Sequence, residues 1–347
     1  MNMDYNPKLL INTESMPNDE WLKWRKKGIG GSDASIIMGT NPWRTIVDLY
    51  YDKVGIEPVI KEEDNEFAKD YGHTVEPLIA KWFEKTMYDM TVYKDSNMYS
   101  HPLYPFMLAN LDYRIRLADG SEGILEIKST TFRNSDEWRD GRLPVYYEQQ
   151  VRHYMAVMNV DFVWVCCLWG NNFDGDSAKV KVERDLDVEE SLIENEADFW
   201  QMVQNKEIPS YKGANADLAM NSLRRYIGYG DSSVPAVTLD ESFQKSLYKI
   251  SALNEQNEAL KKNIKTNDKE IDTLSVPIIS ALEKAEKGIA EYPGVTFEIN
   301  YKTRSTATFD RKKCQLKYPN VFAECSDKSF SRTLKVQKVE MVSKAVA

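Results

Sequence analysis

The chain has 347 residues, 42% of them apolar and 11% aromatic, which supports a sizeable core and leaves room for one large domain and a smaller one. No stretch approaches about eighteen uninterrupted apolar residues and the N-terminal MNMDYNPKLL lacks the basic-then-apolar layout of a secretion signal, so a soluble cytoplasmic protein with no membrane segment is expected. A net charge of −9 excludes a uniformly basic nucleic-acid-binding surface, and Cys166, Cys167, Cys314 and Cys325 show neither zinc nor iron–sulfur spacing.

In chain order, Asp19 to Lys27 (DEWLKWRKK) predicts a short helix with Trp21 and Trp24 three apart among Lys23, Arg25, Lys26 and Lys27. Gly28-Ile29-Gly30-Gly31-Ser32-Asp33 follows as a tight loop opening a second helix through Ile36, Ile37 and Met38. Two readings of that loop stand side by side. Ser32 or Asp33 is a helix N-cap, or the glycine-loop N–H groups and the helix terminus hold a phosphate beside Arg25. A Walker P-loop is excluded, since no Gly-Lys-Ser/Thr follows. Ile46 to Val54 predicts an amphipathic helix, and a charged segment separates it from Phe67 to Lys85, where Gly72 to Pro77 leads into an apolar face of Leu78, Ile79, Trp82 and Phe83. Glu76 then sits on the turn before that face, where a lone Glu is commonly a solvated or capping carboxylate.

Leu108 to Thr130 (LANLDYRIRLADGSEGILEIKSTT) predicts a hairpin. Leu111, Tyr113, Ile115 and Leu117 alternate with charged residues, Ala118-Asp119-Gly120-Ser121 breaks the run, and Ile124 to Ser129 forms the return strand. Glu126 and Lys128 are two apart and share one face of the sheet. With Asp112 near the end of the first strand, two carboxylates and an ammonium converge, an expensive arrangement that a bound divalent cation would justify. The spacing is also that of the metal-dependent nuclease pattern written PD-(D/E)xK. Glu-x-Lys alone equally describes a solvated cross-strand pair, but Ile124, Leu125 and Ile127 make this strand apolar enough for burial, where Glu and Lys are rare unless paired.

Beyond the hairpin, a helix is predicted from Glu148 to Met158 with Gln150, Tyr154 and Val157 on one face, then strands Phe162–Leu168 and Ala178–Val182 and a helix from Val188 to Lys206. The resulting fold class is α/β, a central mixed sheet flanked by helices. Of three histidines only His153 lies near a motif, and it reads as a satisfied helix residue; without an imidazole cluster, the carboxylates suit Mg²⁺ or Mn²⁺. Lys128 acts as a base only with a depressed pKa, so orientation and charge stabilisation fit it better.

Ala214 to Pro235 reads as a linker, so the expected division is residues 1–212, a linker over 213–237, and residues 238–347. Glu241 to Ile289 is strongly helical, but Asn257 and Asn267 interrupt its apolar stripe and Pro277 kinks it, so a helical hairpin or arm is expected rather than a long coiled coil. Gly294–Tyr301 and Ser329–Lys338 read as strands around a short helix from Arg311, a small α+β appendage. From Asp310 on there are nine Lys or Arg against four acids, which is either a DNA- or partner-contacting patch or a solvated face.

The ordered blocks Trp21-xxx-Arg25 to Gly-Ile-Gly-Gly-Ser32-Asp33, Gly72-xxx-Glu76-Pro77, Asp112, Glu126-Ile-Lys128-Ser129 and Leu143-Pro144-xx-Tyr147-xx-Gln150-Val-x-His153-Tyr154 resemble the YqaJ-like viral recombinase family, grouped with lambda exonuclease and alkaline nucleases. The resemblance covers about residues 10 to 212. It implies a restriction-endonuclease-like core and a Mg²⁺-dependent exonuclease, 5′→3′ on linear duplex DNA and with two ions, that leaves 3′ single strands for a phage single-strand annealing protein. By that likeness Asp112, Glu126 and the Ile127 carbonyl are metal ligands, and Glu76 completes or hydrogen-bonds the metal shell. Lys128 orients or activates the attacking water, Gln150 positions Lys128 or the nucleophile, and Arg25 and Ser32 hold a 5′-phosphate. The chain departs from the pattern at Leu111-Asp112, where Pro-Asp is usual, and at Arg152, where Gln is frequent. The likeness also implies a homo-oligomer, a ring of three with Lys23, Arg25, Lys26 and Lys27 lining the channel, which would reconcile an acidic chain with DNA. A structure- or site-specific endonuclease on the same core and a non-catalytic DNA-binding protein are the alternatives. The Arg25–Ser32 block favours an end-requiring exonuclease over the first, and intact Asp112, Glu126 and Lys128 argue against the second.

Overall fold

The computed structural model describes residues 5–61, 65–211, 213–326 and 334–336. It divides into two compact units, Met1–Gly228 and Tyr229–Ala347. The first runs β1 (Lys8–Asn12), α1 (Asn18–Arg25), β2 (Ile29–Gly30), α2 (Gly31–Ile37), α3 (Ile46–Val54), α4 (Glu66–Thr86), β3 (Met90–Lys94), β4 (Asn97–Ser100), β5 (Met107–Asn110), β6 (Tyr113–Leu117), β7 (Glu122–Ser129), α5 (Val145–Met158), β8 (Phe162–Leu168), β9 (Ser177–Glu183), α6 (Leu186–Asn205) and α7 (Ala216–Ile227).

The expected α/β architecture is present. Five strands in the order β3-β6-β7-β8-β9 form a mixed sheet, antiparallel throughout except for the β7–β8 pair, whose crossover is α5. The β6–β7 hairpin closes through Gly120 at φ 87°, with Asp119 Oδ1 accepting the Ser121 N–H at 2.9 Å. β7 lies at the centre of the sheet, which explains its near-continuous apolar run. Ile124 packs with Val151, Tyr154, Met155, Val163 and Val165 on the α5 face, while Leu125 and Ile127 pack with Ile79, Phe83, Tyr113 and Ile115 on the α4 face. Glu126 and Lys128 therefore project toward α5, in phase with Ile124.

A second sheet has the order β1-β4-β5-β2, with β2 parallel to β5 through Ile29↔Met107 and Gly30↔Leu108. The strand read from Leu111 to Leu117 starts later than expected. Leu111 and Asp112 form a break where the chain leaves β5 in one sheet and enters β6 in the other. Gly72–Pro77 is likewise no lead-in but part of the 21-residue α4. Pro77 removes the donor that would reach the His73 carbonyl, and the helix persists because Ile79, Ala80 and Phe83 are buried.

The first half of the expected linker is helix α7. Asn215 Oδ1 caps it by accepting the Asp217 N–H at 2.9 Å, Arg225 meets Asp48 at 3.4 Å, and the Tyr226 ring lies 4.3 Å from that of Tyr51 on α3. In the second unit, α8 (Gln244–Leu282) is a single 39-residue helix, not a helical hairpin. Asn costs a helix only some tenths of a kcal/mol per residue, about 0.7 at most, so Asn257 and Asn267 do not end it. β10 (Lys287–Tyr292) and β11 (Val295–Asn300) pair antiparallel, and α9 (Arg311–Lys317) and α10 (Pro319–Glu324) follow. The helical reading to Ile289 overran β10. The strand read over Ser329–Lys338 lies outside the described residues apart from 334–336.

His153 locks the first unit together. Its Nε2–H donates to the Leu108 carbonyl at 2.9 Å and its Nδ1 lies 2.8 Å from Glu196 Oε1, so one imidazole joins α5 to β5 and α6, with both side chains fully buried. Burial opposes the imidazolium, but the Glu196 charge and hydrogen bond and the Leu108 carbonyl outweigh it and raise His153 above its ordinary value. Burial raises Glu196 as well, against the pull of His153, and the more distant Asp33 and Lys53 act on it in opposite directions. Both shifts are upward, so the folded pair holds its proton more tightly than the unfolded chain. The stabilisation is complete below the unfolded values, 4.5 for Glu and 6.5 for His, and is lost as pH rises through the folded ones. The urea midpoint should therefore fall as pH rises above 6.5, and Glu196→Gln should flatten that decline; an unchanged slope in the variant would show that the pair does not titrate.

Candidate active site

Five of the residues singled out in the sequence come together around one cavity of about 560 Å³, into which Glu76, Asp112, Glu126, Lys128 and Gln150 all open. Glu126 is 2% exposed. Its Oε1 receives Lys128 Nζ at 2.6 Å and Gln150 Nε2 at 2.7 Å, while its Oε2 is buried with no hydrogen-bond partner. Gln150 Nε2 also donates to the Tyr154 hydroxyl at 3.2 Å, which fixes its amide, and Lys128 Nζ stands 4.9 Å from the centre of the Tyr147 ring. Asp112 Oδ2 accepts the Ile127 N–H at 2.9 Å, so the break between β5 and β6 is pinned to the main chain of β7. Glu76 approaches from α4 and pairs loosely with Lys94 at 3.7 Å.

The electrostatics follow from burial. Desolvation raises Asp112, opposed by Lys128 and the Ile127 N–H. Glu126 is pushed up to about 7, first by burial and then by the charge on Asp112. Glu76 is raised by burial and by Asp112. Lys128 moves the other way from a lysine buried alone: burial lowers it, but Glu126 and Asp112 together hold its ammonium far above the ordinary range. It is a cation, not a base.

Arg25 and Ser32 open on the same cavity. Arg25 Nη2 donates to Ser32 Oγ at 2.7 Å and its guanidinium lies 4.9 Å from the Trp21 ring centre, while Trp21 Nε1 donates to Asn110 Oδ1 at 2.7 Å. Ser32 is thus not the helix cap. Nor is Asp33: the N-cap is Gly30, and Asp33, the third helical residue, accepts its N–H at 2.9 Å. Asp33 also takes Lys53 Nζ at 2.7 Å and Arg25 at 3.5 Å. Burial would raise Asp33, but Lys53 and Arg25 overcome it and keep the carboxyl below its ordinary value. Two cations share one carboxylate, which leaves a net positive charge beside Ser32 at the start of α2.

Several contributors were not singled out in the sequence. His73 lines the cavity one turn before Glu76, so the expectation that only His153 lies near a motif is corrected; an i, i+3 His–Glu pair on one helix was the available signal. Lys94 and Lys53 arrive through long-range packing that no local pattern announces, whereas Tyr147 and Tyr154 share α5 with Gln150 as the motif placed them. Among the described residues no three His, Cys, Asp or Glu side chains close around a metal position. The donors nonetheless fit a hard divalent cation: all are oxygens, Glu126 Oε2 is buried and unpartnered, and Mg²⁺ is ordinarily held by one or two carboxylates with water and substrate phosphate completing its shell.

Residues 20–161 match the YqaJ-like viral recombinase domain, in agreement with the resemblance carried by the motifs. The uncharacterized protein YqaJ of Bacillus subtilis (strain 168) is 29% identical over 336 residues, spanning 95% of this chain and 98% of that protein. Among solved structures, the alkaline exonuclease LHK-Exo from Laribacter hongkongensis is 16% identical with a TM-score of 0.45, over 55% of this chain and 94% of that one. A phage related exonuclease from Haemophilus somnus 129PT is 12% identical with a TM-score of 0.40, over 54% and 99%. No helix among the described residues is long and apolar enough to cross a membrane.

Gly31 sets the distance between α2 and the cavity wall, because a Cβ there would lie 2.5 Å from the Tyr154 ring and 3.1 Å from Gln150 Cγ. Gly31→Val should destabilise the protein by about 1–3 kcal/mol through this overpacking. A urea titration checks it, and an unchanged midpoint would mean that the two helices are free to separate.

Proposed function

We infer that this chain, with its match to the YqaJ-like viral recombinase domain over residues 20–161, is a Mg²⁺-dependent deoxyribonuclease acting from the ends of linear duplex DNA. The observation that carries the reading is that the buried Asp112–Glu126–Lys128 cluster and the Arg25–Ser32 pair open on one cavity. A cleavage centre and an anion-holding group are then met by the same strand.

Asp112, Glu126, the Ile127 carbonyl and Glu76 would hold the cation, with Mn²⁺ a substitute for Mg²⁺. When bound, it supplies a water of lowered pKa and neutralises charge on the scissile phosphate. The chain's own residues do the rest. Lys128, kept as an ammonium, orients the attacking water and offsets charge developing on the phosphate. Gln150, anchored by Tyr154, holds Glu126 Oε1 in place and leaves Oε2 without a donor of its own. Arg25 and Ser32 bind the terminal 5′-phosphate through two donors, while Asp33 and Lys53 fix the guanidinium from behind. Recognition of a terminal phosphate selects linear ends over closed circles and favours 5′→3′ digestion of one strand. The 3′ single strand left behind is the substrate that a phage annealing protein would take up.

Asp112→Asn should lower Mg²⁺-dependent cleavage of linear duplex by at least on the order of 100-fold, a loss typical of a disturbed metal site, with the melting temperature in chelator unchanged or higher. Near-normal cleavage would sink the site assignment. On substrates compared as linear, nicked and closed-circular duplex, only the linear form should be degraded; cleavage of closed circles would favour an endonuclease.

Arg25→Ala should slow digestion of 5′-phosphorylated ends more than of 5′-hydroxyl ends. Lys53→Met should do the same without touching DNA, because Asp33 would then neutralise Arg25 alone. Equal slowing on both ends would reduce the pair to a general backbone contact.

A further inference from the structure

We propose that α8 pairs antiparallel with the α8 of a second copy of this chain, forming a two-stranded coiled coil centred on Lys262. The helix has no buried residue along its 39 positions. Leu253, Leu260, Ile264, Ile271, Leu274 and Ile278 are each between 45% and 62% exposed, an apolar seam that water does not favour.

The seam has a strict repeat. Ile250, Asn257, Ile264, Ile271 and Ile278 occupy the first position of successive heptads, and Leu253, Leu260, Asn267 and Leu274 the fourth, with steps of three and four and no break. The two asparagines lie on the seam rather than interrupting it. Asn at such a position lowers stability but fixes register and partner, provided that its amide meets another polar group.

The order of residue types along the seam identifies the occupant. In an antiparallel pair the first heptad position of one helix faces the fourth of the other. Set about Lys262, Leu260 faces the partner's Ile264, Asn257 faces the partner's Asn267, Leu253 faces the partner's Ile271 and Ile250 faces the partner's Leu274. Each of these apolar residues meets an apolar one and each Asn meets an Asn, twice by symmetry, while Ile278 faces the partner's Ser246 at the end of the pair. A parallel pair sets each residue against its own copy and needs no such palindrome, and neither does an unrelated helix. On the flank, Lys261 and Asp268 of the two helices gather into one balanced group of two ammoniums and two carboxylates. The interface is self-complementary about a two-fold axis.

The test uses the full chain with the accessible thiols removed by Cys314→Ser and Cys325→Ser, and Lys245→Cys carrying a spin label. Dipolar spectroscopy should then read a label-to-label distance of roughly 50 Å, from 34 residues of helix at about 1.5 Å each. A distance near the helix spacing of about 10 Å would mean a parallel pair and overturn the proposal, as would the absence of any coupling. Independently, the double change Leu260→Asp and Ile264→Asp should halve the particle mass in light scattering while leaving the circular dichroism of the first unit's sheet and helices in place. An unchanged mass would also overturn it.

Discussion

A carboxylate at position 126 lies inside a strand that is apolar on both faces, and the first unit is arranged to tolerate it. Moving an ionised carboxylate into such surroundings without partners costs several kcal/mol or more. Lys128 and Gln150 both meet Oε1, which leaves the buried Oε2 without a donor. Asp112, tied to the Ile127 N–H, brings a second negative charge close enough to raise Glu126 further. The cluster therefore holds more carboxylate than its donors satisfy: Glu126 Oε2 has no partner and burial raises Asp112 and Glu126 alike.

The Arg25–Asp33–Lys53 group has the opposite imbalance, two cations on one carboxylate. Arg25 is kept beside Ser32 by a carboxylate that would quench it if the two were alone, but Lys53 sits closer to Asp33 than Arg25 does, at 2.7 Å against 3.5 Å. The buried ammonium takes most of the carboxylate's charge, and the guanidinium keeps its own for a ligand. Steric limits complete the arrangement. At Gly28 a Cβ would lie 2.3 Å from the Phe106 carbonyl oxygen, so the chain leading into α2 packs directly on the chain leading into β5.

How much of this was legible depended on range. Glu126 and Lys128 could be placed on one face because strand period is local, and the α5 face with Gln150 and Tyr154 followed from helical spacing. The break at Leu111–Asp112 was hidden because the apolar alternation continues through it while the strands change sheets. Lys53 pairs with Asp33 twenty residues away and Lys94 with Glu76 across two elements, distances over which sequence carries no pairing signal. α7 was lost among the glycines at its ends, although its packing on α3 through Arg225 and Tyr226 is specific. The asparagines of α8 break its apolar composition and fall on the seam only in heptad register, which residue type alone does not reveal.

The parallel pairing of β2 with β5 acquires a further meaning beside these charges. Gly30 is in register with Leu108, Ser32 lies two residues beyond the first and Asp112 four beyond the second. This short parallel pairing thus ties the start of α2, which carries Ser32, to the strand that runs into the break at Asp112. Under the proposed activity that pairing would serve as a gauge, the reach from a held end to the carboxylates being set by the sheet and not by a flexible connection.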